Sequence, residues 1–121
     1  MAIYVKVGEN QYPASITGKV NDRDWDNRAS KAIRLEMTYE DAVNTFVDDV
    51  DWSIVQDVEE IIENIDDEGN ITHETVINTE TYDNSEYAIA GDIIDHRDGT
   101  VTVKMGKLTA DELLSMIEEV L

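Results

Sequence analysis

Carboxylate side chains near one predicted turn form the first grouping in this sequence that could bind a metal ion. Asp92, Asp95, His96 and Asp98 lie close together in the chain, and carboxylate and imidazole groups can share a divalent cation. The same residue types are also common in loops, where their side chains hydrogen-bond to nearby backbone groups. We interpret this cluster as a hairpin loop and keep a calcium or magnesium site between Asp92 and Asp98 as the alternative.

A second cluster, Asp66-Asp67-Glu68-Gly69-Asn70, can be compared with a calcium-binding loop. With Gly69 at the sixth loop position, the bidentate Glu required at the twelfth position falls on Thr75, and Glu74 is one residue out of place. Consecutive turn-forming residues favour a hairpin between two strands instead. We therefore expect a turn here, with no metal site and no cofactor.

Groupings typical of catalysis are not recognisable in the rest of the sequence. The chain has no Cys and two His residues, which leaves few candidates for nucleophilic or imidazole catalysis. No Gly-x-Ser-x-Gly motif, glycine-rich phosphate loop or His-Glu-x-x-His motif occurs. We expect a protein that is not an enzyme.

The formal net charge of −19 is concentrated in one half of the chain. Residues 35–96 contain nineteen Asp or Glu residues and no Lys or Arg. Such a surface repels nucleic-acid phosphates and anionic membranes, and it attracts cations and basic protein surfaces. This acidic block is therefore either a solubilising surface or a docking face for a protein partner, and direct binding to nucleic acid or membranes is not expected.

Ten residues are candidates for contact with a partner. Asp48, Asp49 and Asp51 follow a predicted helix, where the helix dipole is already negative and their charge costs stability unless a cation offsets it. Trp25 lies in a loop among Asp and Arg residues, where it either anchors a partner or packs its ring onto its own domain, and we favour the second. The remaining candidates are acids of the hairpin predicted at 58–82: Glu59, Glu60, Glu63, Asp66, Asp67 and Glu68. Cations that could offset the Asp cluster internally are Arg23, Arg28, Lys31 and Arg34.

Alternation of apolar and polar residues predicts several short strands, and the first two form a hairpin. These strands cover residues 3–7, 12–16, 33–37, 87–93 and 101–105. Pro13 lacks an N–H group and indicates an edge position or the first residue of a strand. The stretch 52–65 fits either a helical face or an irregular strand. We choose the strand, because a turn and a segment rich in β-branched residues follow it, and the helix remains the alternative.

Two segments show the spacing of amphipathic helices. Thr38 begins the first, whose apolar stripe is Val43, Phe46, Val47 and Val50. Thr109 and Glu112 have the spacing of a capping box at the start of the second. Its apolar stripe consists of Leu113, Leu114, Ile117, Val120 and Leu121.

Length and composition predict one α+β domain over residues 1–121. The apolar fraction of 41% is enough for a single core. No apolar stretch approaches the about 20 residues of a membrane span, and no secretory signal is visible, so we expect folding in the cytoplasm. The expected architecture is a mostly antiparallel sheet of about seven strands, arranged as hairpins and closed by two short helices.

Short segments along most of the chain occur in a characteristic order. They are Tyr12-Pro13, Ile16-Thr17-Gly18, Asp24-Trp25, Leu35-Glu36-Met37-Thr38-Tyr39, Trp52-Ser53-Ile54, Tyr82-Asp83-Asn84-Ser85, Asp95-His96-Arg97-Asp98-Gly99-Thr100-Val101 and Val103-Lys104-Met105-Gly106-Lys107. Together they resemble a group of small uncharacterised proteins encoded in phages and prophages of Gram-positive bacteria. The resemblance brings no catalytic residues. It implies a phage protein from a virion-structural or tail-region gene cluster.

The expected function is therefore protein–protein contact in a tail or baseplate accessory component, with virion proteins as partners. The alternative is an acidic inhibitor that imitates nucleic acid and occupies the groove of a host DNA-binding or defence protein. A mimic needs its acids arrayed on one exposed face, whereas an assembly component needs an exposed apolar surface or strand edge. The oligomeric state is left open by the sequence.

Overall fold

Seven strands and two short helices make up the protein in the computed structural model, which describes the backbone of residues 2–120 and the side chains of residues 2–117. The strands are β1 (Ile3–Val7), β2 (Asn10–Asp22), β3 (Arg28–Glu36), β4 (Trp52–Ile65), β5 (Ile71–Asp83), β6 (Ile89–Asp95) and β7 (Thr100–Gly106). The helices are α1 (Tyr39–Thr45) and α2 (Ala110–Val120), and a 3₁₀ turn at Arg23–Trp25 connects β2 to β3. The strands form one sheet in the order β5-β4-β1-β2-β3-β7-β6, with antiparallel neighbours. The predicted mostly antiparallel α+β architecture is confirmed.

Strand β2 lies in the middle of this order, so the prediction that Pro13 marks an edge strand or a strand start is wrong. Residues 10–13 of β2 pair with β1, and pairing with β3 begins at Ala14. The backbone at Pro13 therefore has a partner strand on one side, where it pairs with Tyr4. Proline is tolerated at a place where a ladder ends, because its missing N–H is not needed there. Pro13 therefore has one side of its backbone unpaired although β2 is a central strand of the sheet.

The stretch 52–65 is strand β4, as predicted. It pairs with β5 in one unbroken register from Ser53↔Asp83 to Ile65↔Ile71. Its pairing with β1 ends at Gln56, which lies opposite Ile3. Beyond that point β4 and β5 pair with each other alone, so residues 58–78 form a two-stranded extension that we call the ribbon.

The core lies on one face of the sheet, where residues of β1, β3, β4 and β7 cluster with Ala42 of α1 and with Phe46. Alternate residues of these strands face inward, as expected from the period of two in a strand. The Trp52 indole donates from Nε1 to the carbonyl oxygen of Tyr87 over 3.1 Å, which satisfies its polar group inside the core. The buried cluster consists of Val5, Ile33, Leu35, Ala42, Phe46, Trp52, Val101, Val103 and Met105.

Helix α1 begins as predicted but is shorter than its apolar pattern suggests. The Thr38 hydroxyl accepts a hydrogen bond from the Asp41 N–H over 3.1 Å, which caps the first turn. The helix ends at Thr45, and Phe46 is buried. Val43 and Val47 are 43% and 45% exposed. The predicted four-residue stripe is therefore wrong, because Val47 and Val50 follow the end of the helix and share no helical face with Val43.

Helix α2 starts with the predicted capping box. The Thr109 N–H donates to Glu112 Oε1 over 2.8 Å, and the Glu112 N–H donates to Thr109 Oγ1 over 3.2 Å. Leu113, Leu114 and Ile117 are about half exposed, so the expected closing of the core by both helices is not confirmed. The last two residues of the predicted stripe, Val120 and Leu121, lie outside the side chains that the structure describes.

Candidate interaction surface

The ribbon exposes large aliphatic side chains to solvent. Five isoleucines on it have exposed fractions between 41% and 73%: Ile61, Ile62, Ile65, Ile71 and Ile77. Burying one aliphatic side chain of this size contributes about 1.5–3 kcal/mol, so leaving several of them in water forgoes a large stabilisation. Neighbouring exposed apolar residues are typical of a protein interaction site.

Strand register divides the ribbon residues between two faces. Paired residues in an antiparallel ladder point to the same side, and successive residues alternate. Ile65 pairs with Ile71, Ile61 with Thr75, and Ile77 with Glu59. All four exposed isoleucines with odd numbers therefore lie on one side, which we call the isoleucine face. The opposite side carries Ile62 together with the partly buried Val58 and Val76.

The predicted contact acids of the ribbon are all exposed, but they do not share one face. Glu59 and Glu63 lie on the isoleucine face, and Glu60 lies on the opposite side. The remaining three, Asp66, Asp67 and Glu68, are at the turn. The acids are therefore spread around the ribbon rather than arrayed in one plane.

Asp66 is a structural residue of the turn. Its Oδ1 accepts hydrogen bonds from the N–H groups of Glu68 at 2.9 Å and Asn70 at 2.8 Å. These bonds, led by that from Asn70, lower the pKa of Asp66 below its ordinary value. Gly69 has a φ of 84°, which favours glycine at this position. The predicted hairpin turn is confirmed.

Asp48, Asp49 and Asp51 do not lie at the end of a helix, so the predicted conflict with the helix dipole is wrong. They lie in the loop between Thr45 and Trp52, the first residue of β4, and two of them bond to Ala88 and Ala90 at the start of β6. Asp48 Oδ1 accepts a hydrogen bond from the Ala90 N–H over 2.8 Å, and the Asp49 N–H donates to the Ala88 carbonyl over 2.7 Å. These bonds fasten the loop to the sheet.

None of the four cations considered as internal partners forms an ion pair with that Asp cluster among the described residues, and two of the four pair elsewhere. Arg28 pairs with Asp26 and Glu112, and Arg34 pairs with Asp98. Lys31 donates to the Asn84 side chain. The prediction that these side chains offset the Asp cluster is therefore wrong. Within the cluster, the Asp48 carboxylate accepts a backbone N–H group, that of Ala90.

Trp25 packs onto its own domain. A Cβ atom added to Gly91 would lie 2.7 Å from Trp25 Cη2, and one added to Gly106 would lie 2.7 Å from Trp25 Cζ3. The indole ring thus fills space that two glycines leave open on β6 and β7. The Arg28 guanidinium lies 5.0 Å from the ring centroid, within the range of a cation–π contact. The interpretation of Trp25 as a residue that packs its loop onto the domain agrees with these contacts.

A buried polar cluster beside Trp25 was missed by sequence reasoning. Asp22 Oδ2 accepts from the Ser30 hydroxyl over 2.9 Å and pairs with Lys104 Nζ at 2.5 Å. Asp22 and Ser30 are each 1% exposed. The bond from Lys104 lowers the pKa of the Asp22 carboxyl below its ordinary value. This cluster joins β2, β3 and β7, and Asp22 carries no signal that separates it from the exposed acids nearby.

The loop between β6 and β7 is held by hydrogen bonds within the hairpin. Asp95 Oδ1 accepts from the Arg97 N–H over 2.9 Å, and Asp98 Oδ1 accepts from the Thr100 N–H over 2.9 Å. His96 Nε2 lies 2.7 Å from Thr102 Oγ1. Hydrogen bonds from Thr100 lower the pKa of Asp98 below its ordinary value. These contacts bear out the hairpin-loop interpretation.

Among the side chains of residues 2–117, no group of three or more His, Asp or Glu is placed to hold a metal ion. Within residues 2–120, no helix combines the length and apolar character needed to cross a membrane. Comparison of the chain with known protein families, with curated proteins and with solved structures found no match.

Proposed function

We propose that this protein works without catalysis, by protein–protein contact through the ribbon, as an accessory component of a larger assembly. The observation that carries the proposal is the exposure of the isoleucine face on an extension whose two strands, in the part of the chain that the structure describes, pair with each other and with no third strand. An isolated two-stranded hairpin is marginally stable in water. Burial against a partner would stabilise the ribbon and remove its isoleucines from solvent.

The assembly we propose is a phage or prophage tail or baseplate, with virion proteins as partners. This context comes from the resemblance of the ordered segments to small phage and prophage proteins. The formal charge of −19 adds a condition on the partner, since a basic surface would be attracted to the acidic block. The protein would be made in the cytoplasm of the host and incorporated into the virion.

Co-purification from prophage-induced cells tests this proposal. A tagged Ile65→Ser/Ile71→Ser variant removes two paired residues of the isoleucine face. The matched control, Val20→Ser/Leu114→Ser, removes two residues that are 85% and 57% exposed elsewhere. We expect virion proteins with the wild type and the control, at low and high salt, and their loss with the ribbon variant. Equal recovery with the ribbon variant would overturn the proposal.

The alternative function, an acidic mimic of nucleic acid, predicts a different result. Recovery of a host nuclease or DNA-binding protein that is released by salt would favour it. The ribbon gives this alternative little support, because Glu59 and Glu60 point to opposite sides and the acids do not form one array. For this reason we place it second.

A further inference from the structure

The two edge strands of the sheet, β6 and β5, differ in how well they are protected from pairing with another chain. At the β6 edge, the pairing with β7 shifts register between Ala90 and Ile93. The loop after α1 adds hydrogen bonds to this strand, with Asp48 accepting from the Ala90 N–H. Trp25 also lies against Gly91. Register shifts and covering loops are the usual means by which proteins protect a sheet edge from pairing with other chains.

The β5 edge has none of these protections among the described residues. It is 13 residues long, contains no Pro, Gly or Lys, and pairs with β4 without a register shift. Every residue of β5 is exposed except Val76, which is partly buried. A long, regular and uncovered edge is a template for pairing with another strand.

Hydrogen bonds at the two ends of the β4–β5 ladder identify the backbone groups that are free. The Asp66 N–H donates to the Asn70 carbonyl at one end, and the Asn84 N–H donates to the Trp52 carbonyl at the other. Hydrogen-bonded pairs alternate along an antiparallel ladder. Even-numbered residues of β5 therefore bond to β4, and the odd-numbered residues from His73 to Thr81 direct their N–H and C=O groups to the open side.

We propose that the β5 edge binds an extended, lysine- or arginine-bearing segment of the partner protein by strand addition. This inference rests on the proposed function and names how the contact is made. Main-chain hydrogen bonds would supply affinity, and side chains beside β5 would supply selectivity. Glu74 and Glu80 share the side opposite the isoleucine face, six residues apart. Basic residues of an added strand on that side would lie next to these carboxylates.

Charge also argues against a second copy of this chain as the occupant. Antiparallel pairing of β5 with its counterpart, centred on Ile77, would place Glu74 of each copy opposite Glu80 of the other, with no Lys or Arg between residues 35 and 96 to offset them. Like charges directly opposite each other destabilise a strand pair. The acids thus discourage self-association while they admit a basic strand.

A synthetic peptide of about ten residues, with Lys alternating with Thr and Val, is the probe. Amide hydrogen exchange is measured by NMR on the intact protein with and without the peptide. We expect slower exchange at the odd-numbered amides of His73, Thr75, Ile77 and Thr79 and little change at the even-numbered ones. A peptide with Glu in place of Lys should bind at least about tenfold more weakly.

Substitution at one edge position separates strand addition from other contacts. Thr75→Pro removes an outward N–H without removing a bond to β4, and Thr75→Ala is its matched control. We expect about fivefold weaker peptide binding for Thr75→Pro, because one hydrogen bond contributes about 1 kcal/mol. Slow exchange at the Val76 and Asn78 amides of free Thr75→Pro would verify that its β4–β5 ladder is intact.

Several outcomes would overturn this proposal. They are absence of binding, binding without protection of the odd-numbered amides, equal binding of the Glu peptide, and dimerisation through β5 in preference to peptide binding. The co-purification assay shows whether only strand addition at β5 is wrong or whether the proposed contact through the ribbon is wrong as well. Loss of virion proteins with Ile65→Ser/Ile71→Ser but their full retention with Thr75→Pro would leave the ribbon contact in place and exclude strand addition.

Discussion

Arg28 and Glu112 form an ion pair across 84 residues of sequence, with Arg28 Nη1 donating to Glu112 Oε1 over 2.8 Å. The same nitrogen donates to the Lys107 carbonyl over 2.8 Å. The Arg28 side chain is 5% exposed, whereas that of Glu112 is 40% exposed. Because Glu112 is also the capping residue of α2, this pair fastens the start of the helix to β3.

Replacement of Glu112 by Gln should lower the stability of the protein in a pH-dependent way. The hydrogen bond from Arg28, followed by that from the Thr109 N–H, lowers the pKa of Glu112 from 4.5 to about 2. A carboxyl with a lowered pKa stabilises the folded state above its unfolded pKa, and this stabilisation is lost as pH falls through the folded value. The difference in the free energy of unfolding between the wild type and Glu112→Gln should therefore be full at pH 7 and shrink between about pH 4.5 and about pH 2.

Urea unfolding at several pH values measures this difference. Asp111→Asn is the matched control, since it removes the neighbouring acid of the first turn of α2, for which no ion pair is found among the described residues. The control should show a smaller loss. A difference between the wild type and Glu112→Gln that stays constant as pH falls would contradict the prediction.

Gly91→Ala should destabilise the protein by about 2 kcal/mol through overpacking. The added Cβ would lie 2.7 Å from Trp25 Cη2, which is closer than two carbon atoms that are not bonded to each other normally approach. Gly18→Ala is the control, because nothing lies within 4 Å of a Cβ at that strand position. Trp25→Ala should remove most of the penalty of Gly91→Ala, which a double-mutant cycle of unfolding free energies measures. If the losses in unfolding free energy for Gly91→Ala and Trp25→Ala were strictly additive, the Trp25 ring would not be the cause of the Gly91→Ala penalty.

Local patterns in the sequence were sufficient for most strands and turns, because alternation and turn residues act over a few neighbouring positions. The strand at 52–65 was chosen correctly from the turn that follows it. The end of α1 was not predicted, since apolar spacing continues through Val47 and Val50 beyond the helix. What stops the helix there is tertiary: Phe46 enters the core and Asp48 bonds to β6.

The candidate interaction surface could be predicted only in part, because local patterns identify its residues but tertiary structure determines their exposure. The residues of the hairpin were identified from their order in the chain, but their exposure depends on where β1 ends its pairing with β4 at Gln56. The contrast between the two sheet edges depends on the strand order and could not be inferred from spacing. Asp22 likewise becomes buried through Ser30 and Lys104, one of which is distant in sequence.

Asp48→Ala should destabilise the protein by about 1 kcal/mol, because it leaves the Ala90 N–H without its hydrogen-bond acceptor. The loss should be largest at the β6 edge, so amide exchange at Ala90 should accelerate more than exchange in β3. Asp51→Ala removes the same charge from the same loop, where no side-chain hydrogen bond of Asp51 is found among the described residues, and serves as the control. Equal losses for Asp48→Ala and Asp51→Ala would show that charge, rather than the bond to Ala90, determines stability.

Asp66→Ala should loosen the ribbon without unfolding the rest of the protein. The Asp66 carboxylate accepts from the N–H groups of Glu68 and Asn70 and from the Asn70 side chain. Loss of these bonds should accelerate exchange of the ladder-bonded amides nearest the turn, those of Ile62, Asn64, Thr72 and Glu74, by about tenfold or more. Exchange in β3 and β7 should be unchanged, because the pairing of β4 with β1 ends before the ribbon begins.

Hydrogen exchange followed by NMR measures both regions in one experiment, and Asp67→Ala is the control because it alters a neighbouring turn carboxylate.

Millimolar Ca²⁺ should change exchange at the tip only slightly, since Asp66 already accepts from backbone N–H groups. A site in use would stabilise the tip in proportion to the logarithm of the ratio of free Ca²⁺ to its dissociation constant. If micromolar Ca²⁺ slowed exchange at the tip, and if this effect disappeared in Asp66→Ala, the turn would be a calcium site and the purely structural interpretation would be wrong.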